Sequence, residues 1–158
     1  MRIGFGNDIH RLAEGIPLII GGVTIPSEFG AIGHSDADVL LHAVTDAILG
    51  ALALGDIGSH FSDKDERWKG ENSFIFLREA FRLMTENGYK VGNLDSIINL
   101  QKPKLRDHIN LMKLNLAREL EVEENQISVK AKTGEGLDSV GTCQAIKAEA
   151  CILLVKLN

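Results

Sequence analysis

Residues 35–54 have the sequence SDADVLLHAVTDAILGALAL, and this stretch is the most informative one for the fold. It is apolar almost all round at helical spacing, which is typical of a helix buried on most of its sides. Ser35 suits the N-cap position of such a helix. Asp38, His42 and Asp46 recur every four residues and therefore share one face of the predicted helix. Because buried polar groups are costly unless they are paired or bind a metal, this polar ridge requires a partner.

The segments on either side of this helix predict an α+β protein built as one domain, residues 1–158. Runs rich in β-branched residues predict strands, and helical periodicity between capping residues predicts two more helices. The predicted strands are 1–10, 18–25, 91–101, 127–133 and 145–157, and the two further helices are 73–87, capped by Ser73, and 107–120. Residues 56–72 are expected to form a polar loop. Four to five strands and three helices predict a mixed sheet with the helices packed on one face.

The composition limits the partners and the location of the protein. The 158 residues carry 17 basic and 22 acidic side chains, a net charge of −5, which argues against nucleic acid or an anionic membrane as partner. Residues 1–10 lack the apolar stretch of a signal peptide, and no apolar run approaches the ~18 residues of a membrane span. Cys143 and Cys151 are expected to be buried, reduced thiols of a cytosolic protein.

Asp8 and His10 lie two residues apart on the first predicted strand, so their side chains point to the same face. A carboxylate and an imidazole are both ligands for a divalent cation, and His42 on the buried helix could supply a third. Three protein ligands with an open fourth position are typical of a catalytic zinc site. Alternatively, Asp8 caps a turn, His10 lies on the surface and His42 is a satisfied core residue. The residues alone leave both interpretations open.

Three further segments offer groups that bind anions or hard cations. Residues 33–36 precede the buried helix, whose free N–H groups favour an anion, although a simple helix cap also explains them. The carboxylates of residues 56–65 could bind hydroxyls or a cation, or could face solvent. Lys130 and Lys132 share a strand face near Glu135, which suits a phosphate bridged to Mg²⁺ or a simple exposed strand end. Together these segments indicate phosphoryl chemistry with metals, but they do not name the substrate.

Three motifs carry a resemblance to a known family. They are GFGNDIHRL at 4–12, HSDADVLLHA at 34–43 and LGDIG at 54–58. Together with the chain length they resemble the 2-C-methyl-D-erythritol 2,4-cyclodiphosphate synthase family of the non-mevalonate isoprenoid pathway. The resemblance covers essentially the whole chain. It implies a chorismate-mutase-like homotrimer with active sites at the subunit interfaces, located in the cytoplasm (the bacterial cytosol, or the plastid stroma if a transit peptide has been removed).

The resemblance also implies the metal ligands and the catalytic residues. A zinc-type metal would be held by Asp8, His10 and His42, and a second divalent cation, magnesium or manganese, by Glu135. His34 and Thr133 would stabilise the transition state.

The implied substrate-binding residues form four groups. Those beside the metal are Asp8, His10, His34 and Ser35. Those for the methylerythritol phosphate part are Asp56, Ile57, Gly58, Phe61, Ser62, Asp63, Lys64 and Asp65. Those of the cytosine pocket are Leu100, Gln101, Lys102, Pro103, Lys104, Leu105 and Arg106. Those around the nucleotide phosphates are Lys132, Thr133, Gly134 and Glu135.

The reaction implied by the resemblance is intramolecular, and the enzyme would be a phosphorus–oxygen lyase. In 4-diphosphocytidyl-2-C-methyl-D-erythritol 2-phosphate, the 2-phosphate attacks the β-phosphorus, CMP leaves and a cyclic diphosphate forms. One alternative is a metal-dependent phosphoesterase, which would not need a base pocket at 100–106. Another is a non-catalytic trimeric protein that binds metal or isoprenoid phosphate, for which Lys132 and Glu135 would be dispensable.

Overall fold

The computed structural model describes residues 1–62 and 64–157. Its strands are β1 (Arg2–Glu14), β2 (Leu18–Ile20), β3 (Val23–Ile25), β4 (Phe29–Ala31), β5 (Tyr89–Asn99), β6 (Ile127–Lys132) and β7 (Ala145–Lys156). Its helices are α1 (Val39–Leu52), α2 (Ile57–His60), α3 (Phe74–Glu86), α4 (Ile109–Glu119) and α5 (Asp138–Gly141). Short 3₁₀ turns lie at Glu66–Trp68, Arg106–His108 and Glu124–Gln126.

The main sheet has five strands in the order β4-β1-β7-β5-β6. All neighbouring strands are antiparallel except β5 and β6, which are parallel. As a result β1, β5 and β6 run in the same direction, and their carboxyl ends lie at one edge of the sheet. The strands β2 and β3 form a separate small hairpin.

Helices α1, α3 and α4 cover one face of the sheet and enclose the hydrophobic core with it. Helix α1 lies against β1 and β7 and is buried on nearly all sides, as its apolar sequence predicts. Along β1 the residues alternate between this covered face and the opposite one. The predicted α+β fold, a mixed sheet with helices on one face, is confirmed.

Two glycines on β1 allow α1 to lie unusually close to the sheet. A Cβ atom on Gly4 would lie 1.8 Å from the carbonyl oxygen of Ala47, and one on Gly6 would lie 2.1 Å from that of Ala43. Since real Cβ contacts are never this short, only glycine fits at either position. This close approach determines how far the side chains of α1 lie from those of β1.

The predicted start of the central helix is wrong. Helix α1 begins at Val39, and its N-cap is Asp38 rather than Ser35. The Asp38 carboxylate accepts hydrogen bonds from the backbone N–H groups of Leu41, Gly21 and Gly22 at 3.1, 2.9 and 2.7 Å. The chain's own carboxylate therefore caps this helix terminus, while anion binding by residues 33–36 stays a prediction.

Other differences from the sequence prediction come from short, glycine-rich or polar segments. The predicted strand 18–25 is two strands joined by Gly21 and Gly22, both with positive φ, and β4 was not predicted. The expected loop 56–72 contains α2 and a 3₁₀ turn. Ser73 makes no capping hydrogen bond, because its hydroxyl is directed to Asp36 and His42 instead.

The sheet face opposite the helices carries exposed apolar side chains. Ile3, Phe5 and Ile9 on β1 are 72, 61 and 54% exposed. Cys151, which pairs with Phe5 across β1 and β7, is exposed, and Cys143 is only partly buried. The expectation of two buried thiols is therefore wrong for this chain on its own. In the described residues, no helix is both long and apolar enough to span a bilayer.

Candidate active site

Three potential metal ligands meet where β1 faces α1. Asp8 and His10 project from β1 onto the covered face, and His42 projects toward them from the first turn of α1. Asp8 Oδ2 lies 2.8 Å from His10 Nε2 and 2.9 Å from His42 Nδ1, and the two ring nitrogens are 3.2 Å apart. The three residues thus present one ligand atom each in a compact triangle.

The hydrogen bonds behind this triangle fit a metal site. His10 Nδ1 lies 2.9 Å from the carbonyl oxygen of Ile32, which can only accept, so Nδ1 carries the proton and Nε2 offers a lone pair. Ligand atoms at zinc bonds of ~2.0–2.1 Å in tetrahedral geometry are ~3.3 Å apart, close to the observed separations. One carboxylate and two imidazoles with the fourth position open match the donor set of a catalytic divalent-metal centre.

The charges of the triangle are strongly coupled. Burial opposes ionisation of Asp8, but the hydrogen bonds and charges of His10 and His42 outweigh it and hold the Asp8 pKa well below its usual range. Burial likewise opposes protonation of His10, but the hydrogen bond and charge of Asp8 outweigh it and raise the His10 pKa. Without a cation His10 therefore holds its proton more tightly than a free imidazole does, and a metal has to displace that proton.

A cavity of about 370 Å³ opens over this triangle. It is lined by His10, His34, Ser35, His42, Ile57, Gly58, Phe61, Trp68 and Phe76. The rings of Phe61, Trp68 and Phe76 pack together, with centroids 4.7 to 6.0 Å apart, and form an apolar wall. Trp68 and Phe76 were not among the predicted site residues, because a lone aromatic in a polar loop or a helix is usually a packing residue.

The predicted substrate residues 56–65 lie partly in this cavity. The Asp56 carboxylate caps α2 through the Ser59 N–H at 2.8 Å, while Ile57 and Gly58 line the cavity. The backbone N–H of Ile57 donates to Asp46 Oδ1 at 2.7 Å, which ties α2 to α1.

The rest of this loop lies next to His34. The Asp65 carbonyl oxygen accepts a hydrogen bond from His34 Nε2 at 3.0 Å, and its carboxylate pairs with Arg67. The Ser62 hydroxyl oxygen accepts from the Lys64 N–H at 3.2 Å. Asp63 lies outside the described residues.

The predicted nucleotide residues surround a second cavity of about 310 Å³, at the carboxyl ends of β5 and β6. It is lined by Leu100, Pro103, Lys104, Leu105, Arg106, Ile109, Val129, Ala131, Lys132 and Thr133. Gln101 is beside it and accepts a hydrogen bond from the Gly134 N–H at 3.1 Å. Lys102 is exposed and precedes a cis peptide bond to Pro103.

Glu135 and Lys130, both predicted near the phosphates, lie in different surroundings. The Glu135 carboxylate is exposed and accepts a hydrogen bond from the Thr133 hydroxyl. Lys130 forms an ion pair with Asp95 at 2.6 Å on the sheet face opposite the helices, called the open face below. This lysine is therefore not a free phosphate-binding charge.

Within one chain the two cavities are well separated, and the described residues that line them do not overlap. Ile9 and Lys132 lie in the same row of the sheet, through Lys147 and Asn99. β7 and β5 lie between their strands, so the separation is three strand spacings, or roughly 14 Å. The predicted residues therefore form two groups rather than one site.

The fold and the cluster define an α+β protein with three potential ligands for a divalent metal. The chain belongs to the YgbB family, whose model matches residues 1–155. The 2-C-methyl-D-erythritol 2,4-cyclodiphosphate synthase of Solibacter usitatus is 52% identical over 156 residues, covering 99% of this chain and 98% of the relative. That of Alkaliphilus oremlandii is 53% identical and covers 99% of both chains.

Solved structures give the same result. A 2C-methyl-D-erythritol-2,4-cyclodiphosphate synthase in a CDP-bound form matches with a TM-score of 0.90 and 44% identity, over 98% of this chain and 100% of that chain. A CDP complex from Plasmodium falciparum matches with a TM-score of 0.87 and 39% identity, over 99% and 97% of the two chains. The family resemblance that the three motifs indicate is confirmed.

Proposed function

We propose that this protein is a 2-C-methyl-D-erythritol 2,4-cyclodiphosphate synthase acting as one catalytic domain in the cytoplasm. It converts 4-diphosphocytidyl-2-C-methyl-D-erythritol 2-phosphate into the cyclic diphosphate and CMP. An oxygen of the 2-phosphate forms a bond to the β-phosphorus, and the bond from the β-phosphorus to the bridging oxygen breaks. CMP leaves with that electron pair. The enzyme is a lyase, and its relatives of the same name match over the full chain.

The observation that carries this proposal is the pairing of a metal-ligand cavity with a separate nucleotide-sized cavity. The first is lined by His10 and His42, which cluster with Asp8, and by Ile57 and Gly58. The second combines apolar walls with four groups suited to phosphate: Lys104, Arg106, Lys132 and the Thr133 hydroxyl. A generic phosphoesterase has no need of the second cavity.

Asp8, His10 and His42 are proposed to hold zinc, and Glu135 a second cation, magnesium or manganese. Cations at these positions supply Lewis-acid charge that offsets the negative charge of crowded phosphate oxygens. Two imidazoles suit zinc, whereas an exposed carboxylate beside phosphate suits a harder ion.

The other residues act by positioning and by excluding water. The reacting phosphate is already ionised, so the step needs orientation and charge neutralisation more than a strong base. His34 is proposed to donate to a phosphate oxygen once substrate displaces its bond to the Asp65 carbonyl, and the Thr133 hydroxyl to do the same at the nucleotide end. The wall of Phe61, Trp68 and Phe76 keeps water, which would compete with cyclisation, away from the reacting phosphates.

A homotrimer with active sites at its interfaces is proposed as the working form. Within one chain, Ile9 beside the metal ligands and Lys132 of the nucleotide cavity lie roughly 14 Å apart across the sheet. The metal-ligand cavity of one copy therefore has to meet the nucleotide cavity of another. The sheet face opposite the helices supplies a surface for this contact, since Ile3, Phe5 and Ile9 on that face of β1 are each more than half exposed.

The deciding experiment incubates purified, metal-replete protein with 4-diphosphocytidyl-2-C-methyl-D-erythritol 2-phosphate, with and without a chelator. Release of CMP with an equal amount of cyclic product, abolished by the chelator, is the expected result. Inorganic phosphate as product would instead identify a phosphoesterase. No turnover by metal-replete protein would favour a binding protein.

A further inference from the structure

The His42 ring nitrogen that faces away from Asp8 contacts two serine hydroxyl groups. Its Nε2 atom lies 2.9 Å from Ser73 Oγ and 3.1 Å from Ser35 Oγ, while Nδ1 faces Asp8. A neutral imidazole that offers Nδ1 to a metal must carry its proton on Nε2. A hydroxyl group can donate or accept, so this contact alone does not select that tautomer. The direction of the hydroxyl proton decides it.

Asp36 determines where the Ser73 proton points. Asp36 Oδ1 lies within hydrogen-bond distance of Ser73 Oγ, and an ionised carboxylate can only accept. The Ser73 hydroxyl therefore donates to Asp36, and its lone pair faces His42. Ser73 is fully buried, so water does not compete for these bonds.

The Asp36 carboxylate is itself fixed in place. Oδ2 accepts a hydrogen bond from the Ser73 backbone N–H at 3.1 Å, and Oδ1 accepts one from the Asp38 N–H at 3.2 Å. The Ser35 hydroxyl differs, because its partners are the Ala37 N–H, Ser73 and His42, with no carboxylate among them. Ser35 can therefore rotate to suit either tautomer of His42, whereas Ser73 cannot.

We propose that Asp36 and Ser73 are positioning residues for the metal centre: they hold His42 in the Nε2–H tautomer and so direct its Nδ1 lone pair to the cation. The assignment deepens the proposed function, since it rests on the proposed metal site. Hydrogen-bonded partners of this kind fix ring orientation and raise the basicity of a ligating imidazole. Neither residue needs to contact substrate for this role.

The first test uses the wild-type protein loaded with zinc and labelled with ¹⁵N on histidine. Long-range proton–nitrogen correlation spectra distinguish the two tautomers of each imidazole. The expected result is a proton on His42 Nε2 and a metal-shifted Nδ1. A proton on Nδ1, with the metal at Nε2, would overturn the proposal without any variant having to fold.

The second test measures zinc affinity by competition with a chelator. Ser73→Ala is expected to weaken zinc binding by about 10- to 100-fold. Asp36→Asn, whose amide oxygen can still accept the Ser73 proton, is expected to lose less than Asp36→Ala. Ser35→Ala is the matched control, because it removes a hydroxyl at nearly the same distance from the ring, and it should lose much less than Ser73→Ala. Equal losses for the two serine variants, or no loss for Ser73→Ala, would contradict the proposal.

These outcomes separate this inference from the proposed function. If wild-type protein binds zinc through the Nε2–H tautomer but releases no CMP, the activity is wrong and the positioning role stands. If the wild type is active and Ser73→Ala binds zinc as tightly, only the positioning role fails.

Discussion

Asp8 Oδ2 lies 2.9 Å from His42 Nδ1, although 34 residues separate them and one lies on a strand while the other lies on a helix. This contact depends on how closely α1 packs on β1. Gly6 lies two residues before Asp8 on β1. It allows this close packing because the absence of a Cβ atom leaves room for the Ala43 carbonyl of α1. The position of the metal ligands and the packing of the core are therefore linked.

Gly6→Ala tests that link. The new methyl group would overlap the backbone of α1, so we expect a loss of about 3 kcal/mol in the free energy of unfolding and weaker zinc binding. Gly50→Ala is the control, since a Cβ at this exposed position of α1 meets only an ordinary contact at 3.7 Å. That variant should gain about 0.5–1 kcal/mol through helix propensity. Denaturant unfolding of both proteins measures the effect, and equal stabilities would contradict it.

His42→Ala tests the ligand assignment. Removing one of three ligands should abolish tight zinc binding, while the proposed trimer persists because the exposed apolar residues of β1 are unchanged. Metal analysis after dialysis gives the zinc content, and His108→Ala, at the start of α4, is the control. Full metal occupancy in His42→Ala would mean that the ligand assignment is wrong.

Zinc affinity should increase with pH through the neutral range. Asp8 raises the His10 pKa above 6.5, so the metal-free site holds a proton at pH 6.5 that zinc must displace. The proton stabilises the metal-free protein below pH 6.5, and this contribution is lost as the pH rises through the raised pKa. Displacing one proton predicts up to about a tenfold gain in affinity per pH unit until that pKa is passed. Calorimetric titrations at pH 6, 7 and 8 in buffers of different ionisation enthalpy measure both the affinity and the proton release. Affinity independent of pH would contradict the prediction.

The sequence predicted the central elements because their patterns are long and strong. The apolar stretch 35–54 predicted a buried helix, and the spacing of Asp8 and His10 predicted their common face. What the sequence could not give were features that depend on distant contacts. Ser35 suits an N-cap as well as Asp38 does, and only the Gly21–Gly22 turn, folded against Asp38, decides between them.

The missed site residues have the same explanation. Ser73 is a typical helix-capping residue by local pattern, yet its hydroxyl is directed to Asp36, 37 residues away. Phe76 joins the cavity wall because α3 packs beside α1, and Trp68 joins it from the 3₁₀ turn that precedes α3. The division of the site into two groups also follows from strand order, and a linear sequence does not state strand order.

The open sheet face should carry the subunit contact. Phe5→Glu places a charge among the exposed apolar residues of β1, so we expect it to convert the proposed trimer into monomers. Activity should fall with the loss of the oligomer, while zinc binding by each chain is kept. Sedimentation velocity measures the assembly, and Leu111→Glu, at a half-exposed leucine on α4, is the control. A trimeric Phe5→Glu protein would place the interface elsewhere.

Asp46 should matter for substrate binding without being a ligand. Its carboxylate holds the Ile57 N–H at 2.7 Å and so fixes the segment that carries Asp56 and Gly58. Asp46→Ala leaves the Ile57 N–H unpaired and loosens α2. A hydrogen bond to a charged group contributes about 1.5–3 kcal/mol. We therefore expect KM for the substrate to rise about tenfold or more. Asp46→Asn retains an acceptor oxygen and should restore most of the affinity.

Zinc binding should be nearly unchanged in both variants, because Asp8, His10 and His42 keep their own hydrogen bonds. Steady-state kinetics with parallel zinc titrations separate the two effects. A KM unchanged in Asp46→Ala, or a loss of zinc equal to the loss of substrate affinity, would show that Asp46 does not act through α2.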